Sequence, residues 1–310
     1  MARKKKGDPV HGWLVLDKPV GLTSTQALSR VKRLFNAQKA GHGGTLDPLA
    51  SGVLPIAFGE ATKTVSYAME GAKRYLFTLR WGQATETDDT EGAVVAESLE
   101  RPGRAEIEAA LPPFIGEIEQ TPPRYSAVKL QGERAYDLAR GGVDFELKTR
   151  RVEVFGLTLA DLPDADHAAF DLHCGKGVYV RSLARDLGER LGCHAHVTAL
   201  RRTAVGAFTE KASISLDSLE ALGHSPAAFE QLLAIETALD DIPALALSEA
   251  EALSLKRGQS VSLLSRLYKE RVTDLDLEVG DVICAMAKGK PVALVRYEGG
   301  SLSPVRVLNL

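Results

Sequence analysis

A chain of 310 residues, 45% hydrophobic and 25% charged, has the make-up of a globular protein with room for two domains, and not of a fibrous or disordered one. No apolar run reaches membrane-spanning length, and the basic start Arg3-Lys4-Lys5-Lys6 lacks the apolar stretch of a signal peptide, so a cytoplasmic protein with no membrane partner is expected. The formal net charge of −3 is unevenly divided: residues 1–80 carry 13 Lys/Arg against 5 Asp/Glu, and residues 81–120 carry 2 against 10, an arrangement that can attract phosphate while keeping the chain soluble.

Trp13-Leu14-Val15-Leu16 reads as a buried strand that stops at Asp17-Lys18-Pro19. Thr23-Ser24-Thr25-Gln26 fits a capping box, and the helix it starts places Ala27, Leu28, Val31, Leu34 and Phe35 on one stripe. Next comes Gly41-His42-Gly43-Gly44-Thr45-Leu46-Asp47-Pro48. Its glycines free the backbone, and Pro48 pushes Asp47 towards an extended shape. Val53-Leu54-Pro55-Ile56-Ala57-Phe58 then reads as a buried strand. Chemistry alone leaves two readings of Asp47: a reactive acid on a stiff loop, or a local turn residue.

Residues 62–69 are expected to form a short helix, and 73–81 a half-buried strand with Tyr75, Phe77, Leu79 and Trp81 on one side. Residues 85–91 read as an acidic turn, 94–98 as an edge strand and 105–111 as a weak helix ended by Pro112-Pro113. Residues 121–151 are irregular, with a short helix near 133–140. Arg124, Lys129, Arg134, Arg140, Lys148, Arg150 and Arg151 alternate there with Tyr125 and Tyr136, a composition suited to phosphate neutralisation and base stacking on a mobile insertion.

A strand at 170–174 and a helix from Val180 to Leu191 flank Gly175-Lys176-Gly177, which lacks the remaining residues of a P-loop. Gly41-His42-Gly43 likewise fails as a dinucleotide fingerprint, so no nucleotide cofactor is expected. Cys174, Cys193 and Cys284 are too few for a disulfide framework. His173-Cys174 and Cys193-His194-Ala195-His196 match no usual zinc spacing, so no metal is expected either. Helices are expected near 215–222 and 226–237. From residue 244 the chain turns to short strand-like runs at 261–264, 282–286 and 292–295, punctuated by glycines.

The run from Gly41 to Pro55 strongly resembles the catalytic loop of the bacterial tRNA pseudouridine synthase B family. Gly12-Trp13-Leu14-Val15-Leu16-Asp17-Lys18-Pro19, Gly59-Glu60-Ala61-Thr62-Lys63, Lys73-Arg74-Tyr75, Tyr125-Ser126-Ala127-Val128-Lys129 and Lys176-Gly177-Val178-Tyr179-Val180-Arg181 extend the resemblance over most of the chain. It implies an α+β fold: an antiparallel-dominated mixed sheet in a catalytic domain (residues 1–243, with an RNA-clamping insertion at about 121–151), then a small β-rich PUA-like RNA-binding domain (244–310). The implied activity is isomerisation of uridine 55 in the T-arm of tRNA to pseudouridine, by a monomer without cofactors.

That reaction breaks the N1–C1′ bond, turns the uracil and joins C5 to C1′. An ionised carboxylate serves it by attacking C1′, by attacking C6, or by stabilising a glycal-type species. The resemblance makes Asp47 that acid and Arg181 the cation that keeps it ionised, with Tyr75 stacking on the target uracil. Tyr179 lines the same pocket. His42, polar, flanked by glycines and not expected to be buried, helps hold the flipped-out nucleotide, with Gly43 beside it. Lys18 is placed near the site in a structural role, and Arg150 and Arg151 are assigned to phosphate. The rivals are a synthase for another uridine and a non-catalytic RNA-binding protein. An aspartate-dependent glycosidase is disfavoured because no second carboxylate is identifiable as its acid partner.

Overall fold

The computed structural model describes residues 7–126, 128–130, 132–263, 272 and 275–310; the basic run 1–6, Ala127, Leu264 and the side chains of Lys129 and Arg134 lie outside the described residues. β1 (Gly12–Lys18) is buried on both faces, as an unbroken apolar run demands of an interior strand. α1 (Ser24–Leu34) starts at the Thr23/Gln26 capping box and buries Ala27 and Val31. Phe35, just past its end, is fully buried, while Leu28 and Leu34 are only partly covered. β2 (Ala40–His42) leads to the catalytic-loop sequence, and β3 (Ala50–Phe58) begins three residues before the apolar run that signals it. The helix expected at 62–69 is split into a 3-10 turn (Gly59–Lys63) and α2 (Val65–Glu70).

β4 (Lys73–Trp81) follows, then a ribbon of β5 (Gln83–Thr85) and β6 (Val94–Glu97), α3 (Arg104–Ala110) and β7 (Gly116–Gln120). The 121–151 stretch holds the hairpin β8 (Lys129–Leu130) and β9 (Glu133–Arg134) and the short α4 (Ala135–Arg140). Both ends of this stretch are bonded to the rest of the fold. The carbonyls of Thr121 and Tyr125 accept from Ser182 and Arg181, far along the chain, and Arg150 and Arg151 open the long strand β10 (Arg150–Asp161). β11 (His167–Cys174), α5 (Val180–Arg190), β12 (Ala195–Val205), β13 (Phe208–Thr209), β14 (Ile214–Ser215) and α6 (Leu216–Leu222) complete this part. The helix expected over 226–237 is only α7 (Pro226–Phe229) and a 3-10 turn (Ile235–Leu239).

Among the described residues these strands form a 10-stranded sheet in the order β14-β1-β3-β12-β4-β11-β10-β7, with β2 beside β3 and β13 beside β12. Its pairings are antiparallel except β1 with β14 and β3 with β12. The main core joins Phe77, Trp81 and Phe170 of the sheet with Val31 of α1 and Leu183 and Leu187 of α5. A second cluster gathers Trp13, Val15 and Val53 with Phe208.

Beyond residue 243 come β15 (Ala244–Ala246), α8 (Glu249–Lys256), β16 (Val261–Ser262), β17 (Val282–Ala287), β18 (Lys290–Tyr297) and β19 (Ser301–Val307). Their strands make a separate sheet in the order β15-β17-β18-β19-β16. The chain end returns to the large sheet: Leu308 is fully buried with Trp13, Lys63 Nζ donates to the Val307 carbonyl at 2.6 Å, and the Asn309 amide donates to Glu60 at 2.7 Å.

Candidate active site

Asp47 lies in the loop between β2 and β3, whose entry is fixed from three sides. The Gly43 amide donates to the Pro55 carbonyl at 2.7 Å. Gly44 has φ +105°, a backbone state that a side chain resists. Ser24, buried at the start of α1, holds the residue before the acid at both ends: its Oγ accepts from the Leu46 amide at 2.8 Å and donates to the Leu46 carbonyl at 3.0 Å. The carboxylate is thereby set at the wall of a cleft of about 300 Å³, lined by Tyr75, Ser126, Tyr179, Arg181, Leu200 and Arg202 among others.

Arg181 reaches Asp47 from the first turn of α5. Its Nη2 lies 2.9 Å from Asp47 Oδ2, and the side chain is 5% exposed. The same guanidinium lies 3.4 Å from Asp89 Oδ2 and donates to the carbonyls of Thr87 and Tyr125, each at 2.9 Å. Asp89 is 2% exposed and accepts from the Glu91 amide at 2.9 Å. A planar fork with five donors satisfies this many acceptors at once, and an ammonium does not. The start of α5 is itself clamped from the end of β7: the Tyr179 amide donates to Gln120 Oε1 at 2.7 Å, and Gln120 Nε2 donates to the Tyr179 carbonyl at 3.1 Å.

Tyr75 of β4 lines the cleft, and its hydroxyl meets the buried Arg202 of β12. Burial pushes the pKa of its phenol up, and Arg202 works in the opposite direction. Tyr179 also lines the cleft; burial raises its pKa, and the charge of Arg150 partly counters that. The cleft thus brings Asp47, Tyr75, Tyr179 and Arg181 together. Lys18 is fully buried behind the loop, donating to the carbonyls of Pro19 at 2.9 Å and Leu22 at 2.7 Å. Burial draws its pKa down to about 8, against the pull of Asp47.

The other sequence candidates stand apart from the cleft wall. His42 is half-buried: it pairs with Ile56 across β2 and β3, and its shielded Nδ1 has no hydrogen-bond partner among the described residues. Burial and then Arg202 hold its pKa below the ordinary histidine value. Arg150 and Arg151 sit on a strand, where successive side chains point to opposite faces. Arg151 pairs with exposed Glu117 at 3.3 Å. Tyr125 and Tyr136 meet edge-on, with ring centroids 6.1 Å apart, and the Arg140 guanidinium lies over the Tyr136 ring at 4.9 Å. Among the described residues no group of three or more His, Cys, Asp or Glu side chains is arranged to hold a metal ion.

Sequence reasoning missed Ser24, Asp89 and Arg202. Ser24 was absorbed into a helix cap, Asp89 into an acidic run, and Arg202 lies in a strand whose polar residues hid its periodicity.

An aspartate paired with a buried arginine, beside an aromatic ring that lines the same cleft, on a mixed sheet of this order, marks the chain as a pseudouridine synthase. The comparisons narrow the class. Residues 32–180 match the N-terminal domain of the TruB family of pseudouridylate synthases, and residues 181–240 match the C-terminal domain of tRNA pseudouridylate synthase B. Relatives called tRNA pseudouridine synthase B are 54% identical in Caulobacter vibrioides and 52% identical in Rhodospirillum rubrum, each covering 100% of both chains. The chain belongs to the TruB family. In fold it is similar to a chain in the crystal structure of a Cbf5-Nop10-Gar1 complex, at 25% identity and a TM-score of 0.74, covering 96% of this chain and 85% of that one. It is also similar to a chain in an H/ACA RNP bound to a substrate RNA containing 2′-deoxyuridine, at 22% identity and a TM-score of 0.73, covering 100% and 92%.

Proposed function

We propose that this isomerase, which converts uridine in tRNA to pseudouridine, acts on the uridine at position 55 of the T-arm, with Asp47 as its essential carboxylate. The observation that carries the reading is the 2.9 Å pair of Asp47 with the buried Arg181 at the wall of a cleft that also presents Tyr75. In the overall reaction the N1–C1′ bond breaks and C5–C1′ forms; C5 loses a proton and N1 gains one. Asp47 acts at C1′, at C6 or on a glycal-type species. All three call for a carboxylate held in place, and the Arg181 guanidinium holds Asp47.

The target base lies in a folded loop, so it is extruded before chemistry at a cost of a few kcal/mol. Stacking on Tyr75 and contacts from the tyrosine and arginine residues near the cleft mouth, Tyr179 and Arg150 first, offset that cost. His42 and Gly43 support the extruded nucleotide from the loop's entry, and Arg151 adds a phosphate contact further out. Residues 1–243 form the catalytic domain, with 121–151 closing over the T-arm, and residues 244–310 form a PUA-like RNA-binding domain. The enzyme works as a cytoplasmic monomer.

The test is incubation with unmodified tRNA transcripts and mapping of pseudouridine at every uridine. Conversion at position 55 alone is expected. Conversion at another uridine overturns the site assignment, and no conversion overturns the activity.

A further inference from the structure

Arg202 is 2% exposed, yet among the described residues no carboxylate lies within ion-pair distance of it. A charge kept in such a place needs strong partners, because its desolvation is costly. Its partners are backbone and phenol. Nε donates to the Val53 carbonyl at 2.8 Å, Nη1 to the Thr45 carbonyl at 3.3 Å and Nη2 to the Gly44 carbonyl at 3.1 Å, while the guanidinium also meets the Tyr75 hydroxyl.

The strand register explains the convergence. Arg202 stands directly opposite Tyr75 on β4 and opposite Gly52 on β3, so one residue joins the strand of the ring to the strand of the acid's loop. Gly52 permits this approach: its φ is +99°, and a Cβ there would stand 2.2 Å from the Arg202 carbonyl oxygen. A guanidinium has donors and no acceptor. Where the Tyr75 oxygen stands beside the guanidinium, across the β12–β4 ladder, it can therefore only accept.

We propose that Arg202 is a positioning residue that sets Tyr75 against Asp47, by bonding the Gly44–Thr45 backbone of the acid's loop and by standing beside the Tyr75 phenol across the β12–β4 ladder. It acts through these two groups. The inference rests on the proposed activity. It goes beyond it in assigning turnover, and not binding, to a buried residue at the floor of the cleft. A guanidinium that merely staples β12 to its neighbours would be indifferent to the phenol oxygen, and this difference is measurable.

The experiment compares single-turnover pseudouridine formation across enzyme concentration for wild type, Arg202→Lys, Tyr75→Phe and the double variant, with melting temperatures for each. Lysine keeps the charge but cannot span three carbonyls and a phenol. The rate at saturation is expected to fall about tenfold or more in Arg202→Lys, with half-saturation within about threefold of wild type. In the Tyr75→Phe background the same substitution is expected to cost clearly less, because the shared partner is already gone. Equal cost in both backgrounds, a wild-type rate for Arg202→Lys, or a loss carried by half-saturation overturns the proposal. Tyr75→Phe keeps the ring and removes only the oxygen that Arg202 holds, so it carries the test even if Arg202→Lys fails to fold. A rate within about twofold of wild type in Tyr75→Phe overturns the proposal as well. An inactive wild type would sink the activity itself; an active wild type matched by Arg202→Lys sinks only the positioning role.

Discussion

The arginines at the floor of the cleft and those of residues 121–151 have the same side chain and opposite circumstances. Arg181 and Arg202 are almost wholly buried, and each is bonded to several fixed acceptors. Arg124, Arg140 and Arg151 are exposed, and they lie over rings of their own segment or beside exposed acids. Burial decides what a guanidinium does. In a desolvated site it orients a carboxylate and strengthens its field, whereas at the surface its pairing is worth about 0–1 kcal/mol and is readily traded for a phosphate. The floor should govern turnover, and the rim should govern binding and its salt dependence.

The largest effect belongs to the acid itself. Asp47→Asn is expected to reduce single-turnover pseudouridine formation by more than about a thousandfold while tRNA affinity changes little. Turnover within tenfold of wild type would contradict this. Behind it, Asp89→Asn removes one charge from the buried pair that fixes Arg181, and turnover is expected to fall about tenfold. A rate unchanged at saturating tRNA would show that Asp89 serves the fold alone. On the rim, Arg150→Ala is expected to weaken binding by about two- to fivefold and to lower the salt slope by up to about one unit. Arg151→Ala, freed only from Glu117, should do less. A reversed order, or a drop in saturated turnover, would break the division between rim and floor.

The smallest effect concerns pH. Lys18 loses its proton near pH 8 in the folded chain, against 10.5 for an exposed lysine. The penalty of its buried charge is therefore fully present below about pH 8 and is relieved as pH rises towards 10.5, where the unfolded chain binds more protons than the folded one. The melting temperature of wild type minus that of Lys18→Met should accordingly rise across that window. A flat difference would mean that Lys18 is neutral or solvated throughout.

Much of this arrangement was legible because it is local. The Thr23/Gln26 capping box, the apolar run after Pro48 and the alternation of Tyr75, Phe77, Leu79 and Trp81 each report on a single element. Loop chemistry left Asp47 between a reactive acid and a turn residue, and only the family resemblance paired it with Arg181, since nothing in spacing alone unites residues so far apart. What stayed hidden depends on long-range pairing. β12 carries Arg201 and Arg202 in the middle of the sheet, and polar residues there break the alternation that signals a strand. Arg201 finds Asp17 at 2.9 Å and Glu210 at 2.5 Å, and Arg202 finds carbonyls of another strand. Only the assembled sheet supplies those partners. Arg150 and Arg151 were hidden for the same reason, because the ladder with β7 that bonds them to the fold lies about thirty residues away in the chain.

The most direct test of the division between floor and rim is Arg181→Lys, with tRNA affinity and single-turnover rate measured on one preparation. Lysine keeps the charge beside Asp47 and loses the fork that also serves Asp89 and the carbonyls of Thr87 and Tyr125. The rate at saturation should fall about a hundredfold, with affinity within about threefold of wild type. A wild-type rate with weakened affinity would place Arg181 on the phosphate backbone and contradict its role behind Asp47.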